Sequence, residues 1–113
     1  MHINQLVHES HSTALEKGWH EKERTIPELL CLMHSEISEA LEDYRAGLSP
    51  TQIVFTPKSD GTEKPSGIPI EIADTVIRIA DFCGLHGIDL EEAIAVKLKY
   101  NATRSYRHGG KAC

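Results

Sequence analysis

Apolar residues recur with helical spacing in four stretches of the chain. The first predicted helix runs from Asn4 to Lys17 and ends at Gly18. The second begins at Thr25, where Thr25 and Glu28 form a capping-box pattern, and stops at Gly47. Between these points the apolar residues follow the i, i+3, i+4 pattern of a helix with one buried face.

Two further helices are predicted in the second half of the chain. The third begins near Pro69 and ends at Gly84 or Gly87. The fourth begins at Asp89, in a second Asp-x-x-Glu capping pattern, and runs to about Arg107. The apolar spacing therefore favours an all-α, four-helix bundle-like fold.

Residues 48–67 differ in composition from the helices around them. They contain three prolines, two glycines and several Ser and Thr residues, which are typical of a loop. Ile53, Val54 and Phe55 form a short β-prone run, so a short hairpin is expected there. We expect one domain spanning 1–113, with this loop between the second and third helices.

The third helix carries a narrow polar strip on an otherwise apolar surface. At about 100° per residue, one side collects the polar residues Glu71, Asp74, Arg78 and Asp81, opposite Val76. A helix that is apolar over most of its circumference belongs inside a bundle or an oligomer. The strip is therefore expected to line an internal cleft, although a solvated polar face is the simpler alternative.

The second helix carries an acidic pair of its own. Glu36 and Glu39 are three residues apart, so their side chains are neighbours. Glu36 borders the apolar stripe, whereas Glu42 and Asp43 have the pattern of solvated residues. If this pair meets the acids of the third helix, four carboxylates repel one another unless a cation joins them.

Oxygen-only ligands favour a hard cation, Mg²⁺ first and Mn²⁺ second. The sequence contains no Glu-x-x-His of the di-iron bundles and no His/Cys set with zinc spacing. His8 and His11 lie three residues apart on the first helix. We interpret both as surface residues, with metal binding as the weaker alternative.

Cationic partners for phosphate are expected on the fourth helix. Lys97, Asn101 and Arg104 share one face, and Asn101 occupies a position expected for a core residue. The alternative is that basic residues near a helix C-terminus only complement its dipole. Lys111, after two glycines, is a further phosphate-contacting candidate or part of a mobile tail.

Composition narrows the class of protein. The 113 residues are 40% hydrophobic and 26% charged, as in an ordinary globular domain. A formal net charge of −5 argues against binding polymeric nucleic acid, but not against a phosphate compound held through a metal.

The cysteines and the N-terminal residues indicate the cellular compartment. The three cysteines are widely spaced and are expected to be reduced thiols; Cys31 and Cys83 have helical core positions. No signal-peptide pattern or membrane-spanning run is recognised, so a cytoplasmic protein is expected and no membrane partner.

Several motifs resemble one known family, the MazG-like nucleotide pyrophosphohydrolases of the all-α NTP pyrophosphatase group. The similarity covers roughly residues 16 to 111. Its motifs are Glu36-x-x-Glu39, Glu71-x-x-Asp74, the stretch Lys64-Pro-Ser-Gly-Ile-Pro-Ile-Glu-Ile-Ala-Asp74, Gly87-Ile-Asp-Leu-Glu-Glu-Ala93, the set Lys97, Asn101 and Arg104, and the ending His108-Gly-Gly-Lys111.

The resemblance implies Mg²⁺-dependent hydrolysis of (d)NTPs to the monophosphate and pyrophosphate, with a role in house-cleaning of the nucleotide pool. It implies that Glu36, Glu39, Glu71 and Asp74 hold the metal, and that the protein is a homodimer or a dimer of dimers. It also implies that Lys97, Asn101 and Arg104 contact phosphate or sugar. Trp19, in the turn after the first helix, would then flank the base; the alternative is a core anchor.

One departure from the family concerns the loop. Thirty-one residues separate Glu39 from Glu71, more than is usual in the family, so residues 48–67 are an oligomer contact, a lid or neither. Two other functions stay open: a non-enzymatic helical interaction or regulatory protein that retains the fold, and a phosphoribosyl-ATP pyrophosphatase-like enzyme. Glu36 is the preferred water-activating carboxylate, because burial favours a basic carboxylate.

Overall fold

The computed structural model describes residues 1–104, and it is mostly helical. Four helices are present in this part of the chain: α1 (Ile3–Glu16), α2 (Ile26–Arg45), α3 (Ile68–His86) and α4 (Leu90–Thr103). The predicted number and order of helices are confirmed. The predicted end of the last helix, near Arg107, lies outside the described residues.

Local capping determines where the helices begin and end. Thr25 and Glu28 form the reciprocal capping box at the start of α2. Asp89 caps α4 by accepting a hydrogen bond of 3.0 Å from the backbone N–H of Glu92. Of the two glycines proposed to end α3, Gly87 is the stop, with a φ of 66° that suits glycine.

The other glycine, Gly84, lies inside α3 and serves helix packing. A Cβ placed on Gly84 would lie 2.5 Å from the Cβ of His11 on α1. Only a residue without a side chain therefore allows α1 and α3 to approach this closely. The helix α3 packs against both α1 and α2, and α4 packs against α1.

The loop between α2 and α3 contains the expected short hairpin. Its strands, β1 (Val54–Pro57) and β2 (Glu63–Ser66), are antiparallel, with Val54 opposite Ser66. The strand β2 also contacts α3. The hairpin is therefore attached to the helix that carries the acidic residues.

The hydrophobic core of a single chain is small. Val7, Ala80 and Cys83 form its buried cluster, between α1 and α3, with Leu6, Ile79 and Leu90 packed around it. Cys83 is buried as expected, but Cys31 is exposed, so its predicted core position is wrong. It lies on a helix whose apolar surface is only partly covered within one chain.

Several large apolar side chains of α2 and α3 are exposed. They are Leu30, Ile37, Leu41 and Tyr44 on α2, and Ile72, Val76 and Ile77 on α3. Several exposed large apolar side chains on two helices that pack together are typical of a protein–protein contact. Among the described residues, no helix combines the length and apolar character needed to cross a membrane.

Candidate metal centre

Three carboxylates from two helices meet at one point. Glu36 on α2 and Glu71 and Asp74 on α3 each offer an oxygen atom, and these atoms lie within 4.8 Å of one another. Glu36 is buried, with 8% of its surface exposed. The i, i+3 spacing of Glu71 and Asp74 puts both side chains on the side of α3 that meets α2.

Glu71 lies in the most strongly perturbed environment of this cluster. Burial, the adjacent Glu39 carboxyl group and the negative charges of Asp74 and Asp43 raise the pKa of Glu71 to about 7. Its Oε2 atom is buried and has no hydrogen-bond partner. A buried carboxylate oxygen without a partner is costly, and a cation would supply the missing interaction.

Asp74 responds to the same surroundings. Burial and the charge of Glu36 raise its pKa, while the cations Arg78 and Lys64 act in the opposite direction. Lys64 belongs to β2, so the hairpin brings a positive charge towards the acidic cluster. This position of Lys64 could not be predicted from the sequence, because the fold of the loop decides which of its side chains lies near α3.

Asp43 also belongs to this acidic region. Its Oδ2 atom is buried without a hydrogen-bond partner, and its charge raises the pKa of Glu71. The interpretation of Asp43 as a solvated residue is therefore wrong. Asp43 lies seven residues after Glu36, two helical turns along the same face of α2, and this spacing was the available signal.

Arg78 links the acids to the turn after α1. Its Nε atom donates a hydrogen bond of 2.7 Å to Oε1 of Glu36. Its guanidinium group lies 5.2 Å from the centre of the Trp19 ring, in cation–π contact. One oxygen of Glu36 is thus already engaged, which makes Glu36 a less suitable water-activating group than its burial alone suggested.

Trp19 lies beside the acidic cluster and is 38% exposed, so it is not a buried core anchor. A surface cavity of about 390 Å³ is bordered by both Trp19 and Asp74. A second cavity of about 400 Å³ is bordered by Trp19, Arg78, Lys22 and other residues of the turn. The aromatic ring therefore has open space next to a candidate metal ligand.

The donor atoms fit a hard divalent cation. Three carboxylates converge, one of their buried oxygens lacks a partner, and no imidazole or thiol belongs to the set. Such all-oxygen sets suit Mg²⁺ or Mn²⁺ better than zinc or copper. Glu39, the fourth predicted ligand, lies beside Glu71 but outside the group of three within 4.8 Å.

The predicted phosphate-binding residues of α4 lie apart from this cluster. Lys97, Asn101 and Arg104 are exposed, so the expected core position of Asn101 is wrong. Lys97 and Arg104 flank the ring of Tyr100 at 4.8 and 5.6 Å. Among residues 1–104, no hydrogen bond or ion pair joins these three side chains to the acids, and Lys111 lies outside that range.

A second group of polar side chains lies deeper in the molecule. Asp81 is buried and contacts two imidazoles, those of His11 on α1 and His20 in the turn after it. His11 is thus not the surface residue that its pairing with His8 suggested. His8 is exposed and lies outside this group. The sequence could not reveal the group because His11 and Asp81 are 70 positions apart in the chain.

The chain matches no protein-family model, and no curated protein or solved structure matches it. The MazG-like resemblance therefore rests on the residue patterns quoted above. Function has to be argued from the chemistry of the site itself.

Proposed function

We propose that the protein is a Mg²⁺-dependent nucleoside triphosphate pyrophosphohydrolase. The observation that carries this proposal is the convergence of Glu36, Glu71 and Asp74, with a buried oxygen of Glu71 left without a partner. The reaction adds water across the bond between the α and β phosphates of a (d)NTP and releases the nucleoside monophosphate, pyrophosphate and a proton. The resemblance to the MazG-like family suggests the reaction; the acidic cluster supports it.

Glu36, Glu71 and Asp74 would hold the cation, and the fourth predicted ligand, Glu39, lies outside this trio. When bound, Mg²⁺ neutralises phosphate charge and polarises the phosphorus centre under attack. Glu39 is adjacent to Glu71 but outside the converging trio, so we assign to it the orientation of the attacking water and the uptake of its proton.

Trp19 and Arg78 are proposed to hold the nucleotide on the open side of the cluster. Trp19 offers an aromatic face beside the cavity that Asp74 also borders, which suits stacking with a base. Arg78 contacts both Glu36 and the Trp19 ring, so it positions a metal-binding carboxylate and the stacking residue together. Lys64, on the hairpin, supplies a cation on the Asp74 side, where triphosphate charge would accumulate.

The functional unit is proposed to be a homodimer or a dimer of dimers. The exposed apolar side chains of α2 and α3 support this, because one chain leaves them uncovered. Lys97, Asn101 and Arg104 remain proposed phosphate or sugar contacts, in the assembled protein. A regulatory, non-enzymatic protein with the same fold would use the same surface without turnover.

Incubation with Mg²⁺ and each (d)NTP in turn tests the activity, with pyrophosphate and orthophosphate quantified separately. We expect pyrophosphate and monophosphate in equal amounts, and none after chelation of the metal. Adding phosphoribosyl-ATP to the panel separates the related enzyme class. Failure of the wild-type protein to hydrolyse any of these compounds would leave the regulatory alternative.

Variants assign the reaction to the cluster. Glu71→Gln and Asp74→Asn keep side-chain size but remove a charged ligand, so turnover should fall by at least about 100-fold. Glu42→Gln removes an exposed acid from α2, the helix that carries Glu36, and should leave turnover unchanged. Turnover at the wild-type level in all three variants would mean that the metal is held elsewhere. Circular dichroism checks that each variant keeps its helices.

A further inference from the structure

The cluster of His11, His20 and Asp81 has a different donor chemistry from the acidic trio and shares no residue with it. Asp81 lies seven residues after Asp74, two turns further along the same side of α3. The Nδ1 atom of His11 lies 2.9 Å from Oδ1 of Asp81. The Nε2 atom of His20 lies 2.9 Å from Oδ1 and 3.0 Å from Oδ2 of the same carboxylate. One donor atom from each residue can be chosen so that all three lie within 4.8 Å.

This cluster is well enclosed. The side chain of Asp81 is only 6% exposed, that of His20 14% and that of His11 22%. A positive partner stabilises a buried carboxylate, and the hydrogen bonds from the two rings do not by themselves supply a charge. A cation bound by all three groups would compensate the charge of Asp81 without protonation of either ring.

We propose that His11, His20 and Asp81 form a zinc-binding site. Two imidazole nitrogens and one carboxylate oxygen are ligands that Zn²⁺ prefers, and three protein ligands leave a fourth position for water. Zinc–nitrogen bonds of roughly 2.0–2.1 Å in tetrahedral geometry put ligand atoms about 3.3 Å apart. The two contacts of 2.9 Å between the imidazole nitrogens and Oδ1 of Asp81 would each lengthen by about 0.4 Å to reach this spacing.

The surroundings provide a route to the site. A surface cavity of about 350 Å³ is bordered by His11 and Gly84, on the α1–α3 side of the cluster. Another of about 230 Å³ is bordered by His20 and His86. The absence of a side chain on Gly84 lets α1 approach α3 so closely that His11 reaches Asp81.

The site joins three separate parts of the chain. His11 lies on α1, His20 in the following turn and Asp81 on α3. Zinc therefore fixes the turn that also contains Trp19, whose ring contacts Arg78 one helical turn before Asp81. Because the chain contains a single tryptophan, its fluorescence reports directly on this turn.

Metal titration of the full chain, freed of any oligohistidine tag and stripped with a chelator, tests the proposal. Excess Mg²⁺ is present throughout, so that the all-oxygen cluster is occupied. Co²⁺ should bind with one equivalent per chain, give the intense visible absorption of a four-coordinate ion, and be displaced by Zn²⁺. Trp19 fluorescence should change with the same one-to-one stoichiometry.

Variants and imidazole NMR locate the ion. His20→Ala, His11→Ala and Asp81→Asn should each weaken Zn²⁺ binding more than about tenfold, whereas His34→Ala, an exposed histidine of α2, should not. If Asp81→Asn does not fold, His20→Ala, whose histidine lies in a turn, decides the matter. Nitrogen chemical shifts should place zinc on Nδ1 of His11 and on Nε2 of His20.

Three results would overturn the proposal. They are absence of the Co²⁺ absorption, binding that persists unchanged in all three ligand variants, and NMR spectra that show a protonated imidazole beside Asp81 with no effect of zinc. The last result would make the cluster a purely hydrogen-bonded contact. None of these outcomes depends on nucleotide hydrolysis, so this proposal and the proposed activity fail or stand separately.

Discussion

Glu71 has two properties that both make a negative charge unfavourable at this position. Its pKa is raised to about 7 by burial and by Glu39, Asp74 and Asp43, and its Oε2 atom has no partner. Packing of α2 against α3 forces these acids together although they repel. Repulsion between these acids therefore destabilises the folded chain, and binding of either a proton or a divalent cation reduces this destabilisation.

The stability of the metal-free protein should consequently depend on pH through Glu71. Because the pKa of Glu71 is higher in the folded state than its ordinary value of 4.5, the folded state binds the proton more tightly. This contribution to the free energy of unfolding is fully present below pH 4.5 and is lost as the pH rises through about 7. Above that pH, Mg²⁺ should restore stability by binding only the folded state.

Thermal unfolding of the wild type and of Glu71→Gln, with and without Mg²⁺, measures this effect. As the pH rises from 4.5 to about 7, the midpoint temperature of the wild type should decrease relative to that of Glu71→Gln. Mg²⁺ should raise the midpoint of the wild type far more than that of Glu71→Gln. Glu42→Gln should behave like the wild type. A midpoint difference that stays constant with pH would contradict the assignment of the raised pKa to Glu71.

The sequence predicted the acids that converge better than it predicted their neighbours. Spacing on α3 singled out Glu71 and Asp74, since a polar strip on an apolar helix is conspicuous. Asp43 was misjudged because its effect on Glu71 depends on the packing of α2 against α3. The His11–Asp81 contact was missed for the same reason: the sequence gives helical faces, but not which faces meet.

At the scale of elements, capping residues were the most informative signals. Thr25 and Asp89 mark the starts of α2 and α4, and Gly87 marks the end of α3, because each satisfies backbone groups locally. Gly84 could not be distinguished from a helix stop in the sequence. Its role depends on a tertiary contact with α1, which local patterns do not contain.

Gly84→Ala tests the importance of the close approach of α1 to α3. Alanine favours a helix over glycine, so local propensity alone predicts stabilisation. The new Cβ would instead lie 2.5 Å from the Cβ of His11, and the helices must separate. We expect a loss of about 1–3 kcal/mol in the free energy of unfolding, measured by chemical denaturation.

The double variant His11→Gly/Gly84→Ala provides the matched control. Removing the Cβ of His11 relieves the contact, so Gly84→Ala should cost less in that background than in the wild type. Equal costs in both backgrounds would show that the loss has another origin. A stabilised single variant would mean that α1 can shift without penalty.

At the scale of the whole molecule, two features of the single chain have one common explanation. A single chain leaves the apolar side chains of α2 and α3 exposed, and it keeps α4 on α1, with Lys97, Asn101 and Arg104 unconnected to the acids. Both features are explained if a second copy covers the apolar surface and brings its own α4 towards the acidic cluster. The proposed site would then combine acids from one chain with cations from its partner.

Mixing two inactive variants tests this arrangement. Glu71→Gln lacks an essential acid and Arg104→Ala lacks a phosphate contact, so each homodimer should have little turnover. In a mixed dimer with shared sites, one site carries both changes and the other carries neither. Refolding an equal mixture should therefore restore activity towards a quarter of the wild-type value, since half of the dimers are mixed and each has one intact site.

Two controls distinguish this result from independent sites. Mixing Glu71→Gln with Asp74→Asn changes the same cluster on both chains, so every site in every dimer is damaged and no activity should return. Ile37→Lys places a charge in the exposed apolar surface of α2, and sedimentation should then report a monomer without complementation. The mixture of Glu71→Gln with Arg104→Ala could also stay inactive although dimers form. Each chain must then supply its own cations, and α4 must move relative to α1 to reach the acids.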